Sequence, residues 1–503
     1  MGFIKKDREQ IGIIGYSLDE FVEKESKARF IVKIVETLDT RELYSRYSSQ
    51  GADAIDPKVQ LATWFMGYCE TITSSRKLEY NCKKNLDFIY VSANLQPDHS
   101  SLSRFRKRHL DLIPNYFLEI IKKAYELGIS DFKEISIDGT KLPSVSSKKK
   151  SMRTGLLNYR IKKVEEDINS YLTEAEKTEE ELEKLKTEQE KLRKAKVEIE
   201  KRKQDIKKEN RETHQVNIEE PEAMMHSLGS SKGSFPGYNA QLSTDTKTQL
   251  IVSSEVVQDR NDEKQFINQY RNTETNLGGN KERTYIADGG YNSHETINQI
   301  YEEGIDAYVG NRHNYTQTEI KVKKDKMFTK SDFQYDQVND CYICPANKKL
   351  GLVKVENGKQ FRGKKYRSAN CSKCELKRNC LSKNNKSGVR EIGRDYRDGY
   401  VEKMRQKIAT EKGKIKMFRR KTTVEAVIGN IKSNMGYSRF RLKGLAAVNA
   451  EFMLMCIGHN LNKLFRMIVD QNFSPLLGII TYLYINIIRK RAYSIFKINF
   501  SVM

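Results

Sequence analysis

A change of hydrophobic period in the middle of the chain narrows the fold most. Glu134-Ile135-Ser136-Ile137-Asp138, Tyr238 to Ser243, Gln249 to Val257, Thr284 to Asp288 and Asp306 to Val309 are short runs rich in β-branched residues, bounded by Gly, Asn and Asp. Such runs read as strands. Helical patterns follow the third run (262–275) and the fourth (293–303). Three strands, a helix, a strand, a helix and a strand predict an α/β core built on a mixed sheet, with an insertion after its first strand.

The insertion is charged but neutral overall, since residues 160–209 hold 15 basic and 15 acidic side chains. Ile161, Val164, Ile168, Tyr171, Ala175, Thr178, Leu182, Leu185, Gln189, Leu192, Ile199 and Ile206 recur at alternating steps of three and four, a heptad seam. Lys196 and Lys203 occupy that seam near its end, where pairing weakens. A hairpin folded on itself and an intermolecular coiled coil both satisfy the pattern. Loops rich in Ser, Lys and Gly flank it, Ser144 to Ser151 and Ser227 to Ser234.

At 503 residues the chain has room for about three domains. Residues 57–128 read as short helices. Pro57 sits at a first-turn position, and Val59, Ala62, Phe65 and Met66 give one apolar face. Asp98-His99-Ser100-Ser101 supplies N-cap candidates before Leu102, Phe105 and Leu110, with Arg104, Lys107 and Arg108 on the opposite side. This fits a helix-turn-helix-like unit laid on phosphates, and equally an ordinary amphipathic surface helix.

Charge is unevenly distributed. The formal net charge is +23, and residues 346–443 alone carry 29 basic against 8 acidic side chains, a net of +21. A localised positive surface points to a polyanion, nucleic acid before anionic membrane. The long apolar run Leu476 to Ile488, 13 residues, falls short of the roughly 20 that span a bilayer, so no membrane partner is expected. The N-terminus lacks a signal-peptide pattern, and thiols outside a disulfide framework fit a reducing compartment. The expected location is the cytoplasm.

Two acids stand at predicted strand ends. Asp138 closes the first run in Ile-Asp-Gly-Thr-Lys and Asp288 the fourth in Ile-Ala-Asp-Gly-Gly-Tyr. Each is followed by Gly, which lets the chain turn away and leaves the carboxylate on the strand rim. If the two strands are neighbours, the carboxylates converge, and such a pair needs a cation between them; oxygen-only ligands suit Mg²⁺. Singly, an Asp-Gly at a strand end is usually a turn. A third acid, Glu425, lies in Phe418-Arg419-Arg420-Lys421-Thr-Thr-Val-Glu425-Ala-Val-Ile-Gly429-Asn-Ile-Lys432. On a helix Lys421, Glu425, Gly429 and Lys432 share one face, over a buried side of Val424, Val427, Ile428 and Ile431. Gly429 there would allow backbone or DNA to approach. A surface Glu paired with Lys four residues earlier is the plainer meaning of the spacing.

In this order the motifs resemble those of bacterial insertion-sequence DDE transposases, whose core is RNase H-like. Asp138 in I-D-G-T-K, Asp288 in A-D-G-G-Y and Glu425 in K-x-x-x-E-x-x-x-x-x-x-K correspond to that family's catalytic acids. Leu78 and Asp98-His-Ser-Ser-Leu-Ser-Arg-Phe-Arg resemble its N-terminal DNA-binding segment, and Glu222-Ala-Met-Met to Pro236-Gly-Tyr-Asn its approach to the second strand. The likeness covers roughly residues 50–465. Many relatives carry Y-x-x-R-x-x-x-E-x-x-x-x-x-x-K, and here Phe418 and Lys421 replace the Tyr and Arg. Lysine cannot clamp a phosphate bidentately as arginine does; Arg419 or Arg420 could compensate.

Cys341-x-x-Cys344 and Cys371-x-x-Cys374-x5-Cys380 form two knuckles separated by 26 residues. Four of these five thiolates, Cys341, Cys344, Cys371 and Cys374 or a set in which Cys380 replaces one, fit a tetrahedral structural Zn²⁺; reduced thiols without metal are the alternative. The resembled family often has a similar Cys-rich insert. Cys69, Cys82 and Cys456 lie in apolar helical patterns and read as core.

The expected organisation is an N-terminal helical DNA-binding domain (1–128), a first part of the RNase H-like core (129–159), a coiled-coil insertion (160–212), a second core part (213–335), a Cys-rich insertion (336–392), a helical core part carrying Glu425 (393–470) and an apolar, basic tail (471–503). The resemblance implies a homodimeric enzyme that binds terminal inverted repeats and target DNA in a bacterial nucleoid. Asp138, Asp288 and Glu425 would hold two Mg²⁺ ions, with Mn²⁺ able to substitute. Arg104, Lys107, Arg108, Arg419, Arg420, Lys421 and Lys432 would grip DNA. A catalytically decayed, non-enzymatic DNA-binding protein is the alternative, and a nuclease that cuts without joining a third possibility.

Overall fold

The computed structural model describes residues 3–4, 17–48, 53–171, 179–202, 214–227, 233–279, 282–311, 327–358, 361–368, 371–382, 385 and 387–470. The apolar run 476–488, the tail 471–503 and the seam positions Ala175, Thr178, Lys203 and Ile206 lie outside the described residues. Two compact units divide the chain, Met1–Tyr285 with Arg419–Met503 and Ile286–Phe418.

In the first unit the expected helices form. Helix α1 spans Lys27–Thr37, α2 Pro57–Cys69, α3 Ser75–Lys84, α4 His99–Arg108 and α5 Ile113–Glu126. Asp56 caps α2, accepting from Lys58 N–H, with Pro57 in the first turn. Asp98 caps α4 through Ser100 and Ser101 N–H at 2.8 and 3.0 Å, satisfying donors that a helix start leaves unpaired. Nearly all of α2 is buried, because it is covered on more than one side. Trp64 Nε1 donates to Leu102 O on α4 at 3.1 Å, and the Arg106 guanidinium lies 4.3 Å from the Trp64 ring centre.

The C-terminal helix α12, Leu445–Asp470, shares that core. A Cβ added to Gly458 would fall 2.6 Å from Tyr68 O, so the two helices cross where no side chain separates them. Asn462 Nδ2 donates to Cys69 O at 2.9 Å, and Phe30 and Phe465 meet at 5.7 Å.

The strands are β1 (Glu134–Pro143), β2 (Met224–Ser227), β3 (Ser234–Asp245), β4 (Ile251–Val257), β5 (Thr284–Ala287) and β6 (Ala307–Val309). Their order is β6-β5-β1-β3-β2, with β4 also on β3. The five runs read from sequence thus lie fifth, fourth, first, second and third, and the fourth is the neighbour of the first. Thr284 N–H donates to Lys133 O at 2.9 Å, starting β5 beside β1. The division between the units falls inside β5, after Tyr285. Helix α8, Gln265–Leu277, covers β3 and β4 through Phe266, Gln269 and Thr273.

The insertion is a hairpin. Helices α6 (Thr154–Tyr171) and α7 (Glu179–Arg202) pack through Leu157, Ile161, Val164, Leu192, Ala195 and Ile199, onto Val216 and Ile218. Within this chain the seam therefore closes on itself, the first of the two arrangements its sequence allowed. An antiparallel pair, Ser151–Arg153 with Gln215–Asn217, clasps its base.

The second unit contains α9 (His294–Glu302), a five-stranded antiparallel sheet of β7 (Gln334–Asp336), β8 (Cys341–Ile343), β9 (Lys349–Asn357), β10 (Arg362–Arg367) and β11 (Glu391–Asp395), and helix α10 (Asp398–Ala409). Phe333, Tyr342, Leu350, Tyr366 and Ile392 form its core. Helix α11, Glu411–Gly429, crosses from the second unit to the first at Phe418/Arg419. Among the described residues no helix is long and apolar enough to cross a membrane.

Candidate active site

Side chains at every second residue of a strand point to one face, and on β1 that face meets the last turns of α11 and the segment after it. Arg419 Nη1 pairs with Glu134 Oε1 at 3.1 Å, and Ser136 Oγ lies 3.4 Å from Thr423 Oγ1. Arg420 reaches Asp138, and Lys432 Nζ donates to Thr140 Oγ1 at 3.0 Å. Phe440 N–H closes the series on Pro143 O at 2.9 Å. The polar face of the first core strand is thus matched, residue by residue, to the motif that carries Glu425.

At the centre of this face one guanidinium joins two of the three acids. Arg420 Nη1 donates to Asp138 Oδ2 at 3.0 Å and Nη2 to Glu425 Oε1 at 2.6 Å. The Arg420 side chain is 7% exposed, Asp138 17% and Glu425 50%. Asp138 and Glu425 thus share one side-chain cation. Arg420, read from sequence as a phosphate contact, is buried in the structure with the acids as its partners.

Asp138 does not end its strand. It is the fifth residue of a ten-residue strand, and Gly139 after it continues the ladder opposite Gln241 rather than turning away. The glycine is needed for a different reason: a Cβ there would stand 2.2 Å from Gln241 Nε2 and 2.8 Å from Asp262 Oδ1. Those atoms belong to a network on the opposite face of β1 that sequence reasoning missed. Asp262 takes Lys141 Nζ at 2.7 Å, Asn239 Nδ2 at 2.9 Å and Gln241 Nε2 at 2.7 Å. The polar alternation Asn239-x-Gln241-x-Ser243 within a predicted strand was its signal, since these three side chains are buried and a polar face that is buried must be paired.

Asp288 belongs to the second unit. It follows the last residue of β5, as expected, and caps a 3₁₀ turn (Gly289–Tyr291) by accepting Gly290 N–H at 2.8 Å. Gly310 N–H donates to Ala287 O at 3.0 Å, and a Cβ on Gly310 would lie 2.9 Å from Gly289 N, so the backbone behind Asp288 is tightly packed.

The other predicted cations divide by environment. Arg104, Lys107 and Arg108 are exposed on α4, where Arg108 also donates to Arg46 O and lies 5.3 Å from the Tyr47 ring centre. Lys421 is exposed. Burial holds the Lys432 ammonium below the ordinary lysine range. Phe418, at the position of the expected Tyr, is 70% exposed. Gly429 has nothing within 4 Å of an added Cβ, so among the described residues no other segment approaches that side of it.

In the second unit Cys344, Cys371, Cys374 and Cys380 line one cavity of about 20 Å³. Cys344 Sγ accepts Lys348 N–H at 3.3 Å, and Cys374 N–H donates to Cys371 O at 3.3 Å, which turns each knuckle back on itself. Burial, reinforced by the neighbouring thiols and opposed by Arg390, raises the Cys380 thiol. Cys341, 2% exposed, is not among the cavity's lining. It lies in β8 next to Tyr342, whose ring enters the core that Cys344 and Cys380 pack against, so strand alternation turns Cys341 to the other side. All five cysteines are free thiols. Among the described residues no group of three or more His, Cys, Asp or Glu is gathered closely enough to hold a metal ion.

Residues 343–465 match the family described as a transposase DDE domain, and residues 16–108 match a second transposase domain. The chain is an insertion-sequence DDE transposase. The DDE match includes Arg420, Glu425, Lys432 and the four cysteines of the cavity; it begins after Cys341. The second match ends at Arg108, with α4. No curated protein matches this transposase. A solved structure, a piggyBac transposase synaptic complex with hairpin DNA seen by electron cryomicroscopy, is similar over 92% of this chain and 84% of that one, at 11% identity and a TM-score of 0.23.

Proposed function

We propose that this transposase cleaves DNA at the ends of its insertion sequence and joins the freed 3′ hydroxyls to target DNA, with Asp138, Asp288 and Glu425 as the metal-holding acids. The observation that supports this most is the shared cation: Asp138 and Glu425 converge on one positive group although 287 positions separate them in sequence. Two carboxylates that already hold a cation are a donor set that Mg²⁺ or Mn²⁺ can use. Two such ions would activate the attacking hydroxyl or water and neutralise the leaving 3′ oxygen. The protein's part is to fix the donors. The ladder between β1 and α11 holds Glu425 over Asp138, and Lys432 on Thr140 fixes the far end of that face.

The terminal repeats bind to α4 through Arg104, Lys107 and Arg108, with Arg419, Lys421 and the basic stretch 346–443 taking further phosphates. Two ends must be handled together, which favours a homodimer. Cys344, Cys371, Cys374 and Cys380 are the four thiols that would hold one structural Zn²⁺: they line one cavity, but in this structure no three of them are close enough to hold an ion, so binding has to draw them together.

A second reading, a non-enzymatic DNA-binding descendant of a transposase, is favoured by the same Arg420, which neutralises both acids without any metal. One assay separates the two. With the repeats that flank the gene as substrate, Asp138→Asn, Asp288→Asn and Glu425→Gln are each expected to lower Mg²⁺-dependent cleavage and joining by about 10²-fold or more while repeat binding persists. Wild-type protein that binds repeats but never nicks them supports the descendant; cleavage without joined product supports a nuclease.

A further inference from the structure

Arg420 is held by contacts that are strong but incomplete. Its two terminal nitrogens serve Asp138 and Glu425, while Nε is buried with no hydrogen-bond partner among the described residues. A guanidinium satisfied on every nitrogen would be locked; this one keeps a buried donor unpaired. Glu425, half exposed, opens one side of the pair to solvent.

We propose that Arg420 is a built-in counter-ion: it holds Asp138 and Glu425 together in the metal-free protein and yields its place when a divalent ion binds them. The inference rests on the metal-holding reading of the two acids. It makes Arg420 a positioning residue. Without a metal, its charge keeps two carboxylates from repelling each other. With one, a guanidinium left in contact with both acids would oppose a second cation, so the side chain must swing out along α11. Divalent-ion affinity is thereby lowered by the energy of breaking two charge-assisted hydrogen bonds.

The test uses Mn²⁺ alone on the full chain without DNA, reading bound ion by loss of the free-ion paramagnetic resonance signal and stability by thermal melting. Arg420→Gln is expected to bind Mn²⁺ about tenfold tighter than wild type, to melt lower without metal, and to gain more in melting temperature when Mn²⁺ is added. The gain in affinity should vanish in an Asp138→Asn/Arg420→Gln double variant. Should Arg420→Gln fail to fold, Arg420→Lys decides, because one ammonium nitrogen replaces the two-pronged guanidinium that serves each acid from its own nitrogen, the hold on the pair weakens and affinity should still rise. Unchanged or weaker Mn²⁺ binding in the folded variant overturns the counter-ion role. If no protein, wild type included, shows an Asp138-dependent Mn²⁺ site, the metal reading of the acids fails first and this inference with it.

Discussion

Lys432 Nζ donates to Thr140 Oγ1 at 3.0 Å, two residues along β1 from Asp138, so the lysine seven positions after Glu425 is drawn onto the strand. Burial holds its ammonium below the ordinary lysine range, and the threonine hydroxyl is what offsets that burial. Thr140→Val should cost about 1–3 kcal/mol in urea unfolding, because it leaves the ammonium facing an apolar group. Thr140→Ser keeps the oxygen and should cost less than half as much; equal losses would show that the methyl group, not the hydroxyl, matters.

Two glycines near the acids should respond in opposite directions. Gly139→Ala places a Cβ 2.2 Å from Gln241 Nε2, which forces apart the Asp262 network and should destabilise the first unit by about 1–3 kcal/mol. Gly429→Ala meets nothing within 4 Å and should stabilise α11 by about 0.5–1 kcal/mol. If DNA lies against that face of the helix, Gly429→Ala will also weaken repeat binding, which a gel-shift titration reads directly.

Helix α12 closes the edge of β4 with side-chain amides in place of another strand. Asn460 Oδ1 accepts Ile251 N–H and Asn460 Nδ2 donates to Ile251 O, both at 2.8 Å, and Asn449 Oδ1 accepts Val256 N–H at 2.9 Å. Asn460→Ala leaves a buried backbone donor and acceptor unpaired and should cost about 2–4 kcal/mol. Amide hydrogen exchange should accelerate at Ile251 before it does at β1; uniform acceleration would argue against a local edge role.

Acid should unfold the first unit through buried imidazoles. His459, 1% exposed, bonds through Nε2 to Gln249 O at 2.9 Å and through Nδ1 to Asn430 Nδ2 at 3.1 Å, which requires the neutral ring. Burial pushes it down to about 4, from 6.5. The folded value lies below the unfolded one, so between these limits the unfolded chain binds the extra proton. Stability is therefore complete above about pH 6.5, falls as pH drops towards 4, and changes little further below that. Denaturant midpoints measured from pH 7 to 4 should follow this slope, and His459→Gln should flatten it in part, since His109, His214 and His226 are likewise pushed down to about 4.

The cysteine cluster yields a stoichiometry. One zinc per chain is expected by elemental analysis after purification, lost in Cys371→Ser and Cys374→Ser and retained in Cys341→Ser. Loss in Cys341→Ser would restore the knuckle pairing that the sequence first suggested.

Much of this protein was legible in the chain because short-range physics decides it. Strand and helix periods, the Asp98 cap, the succession of strands and helices along the chain and the acid motifs follow from spacing that local backbone geometry imposes. The sequence could not say whether the heptad seam pairs within the chain or between chains. It misplaced the end of β1, because Asp138-Gly139 carries a turn signal that β3 overrides by pairing through it. It also set Arg420 at the surface, since nothing local distinguishes an arginine facing DNA from one facing two carboxylates. Cys341 was grouped with Cys344 by spacing alone, and the pleat of β8 separates them. In the first three cases the decision came from a partner tens to hundreds of positions away, and contacts of that range exist only once the chain has folded.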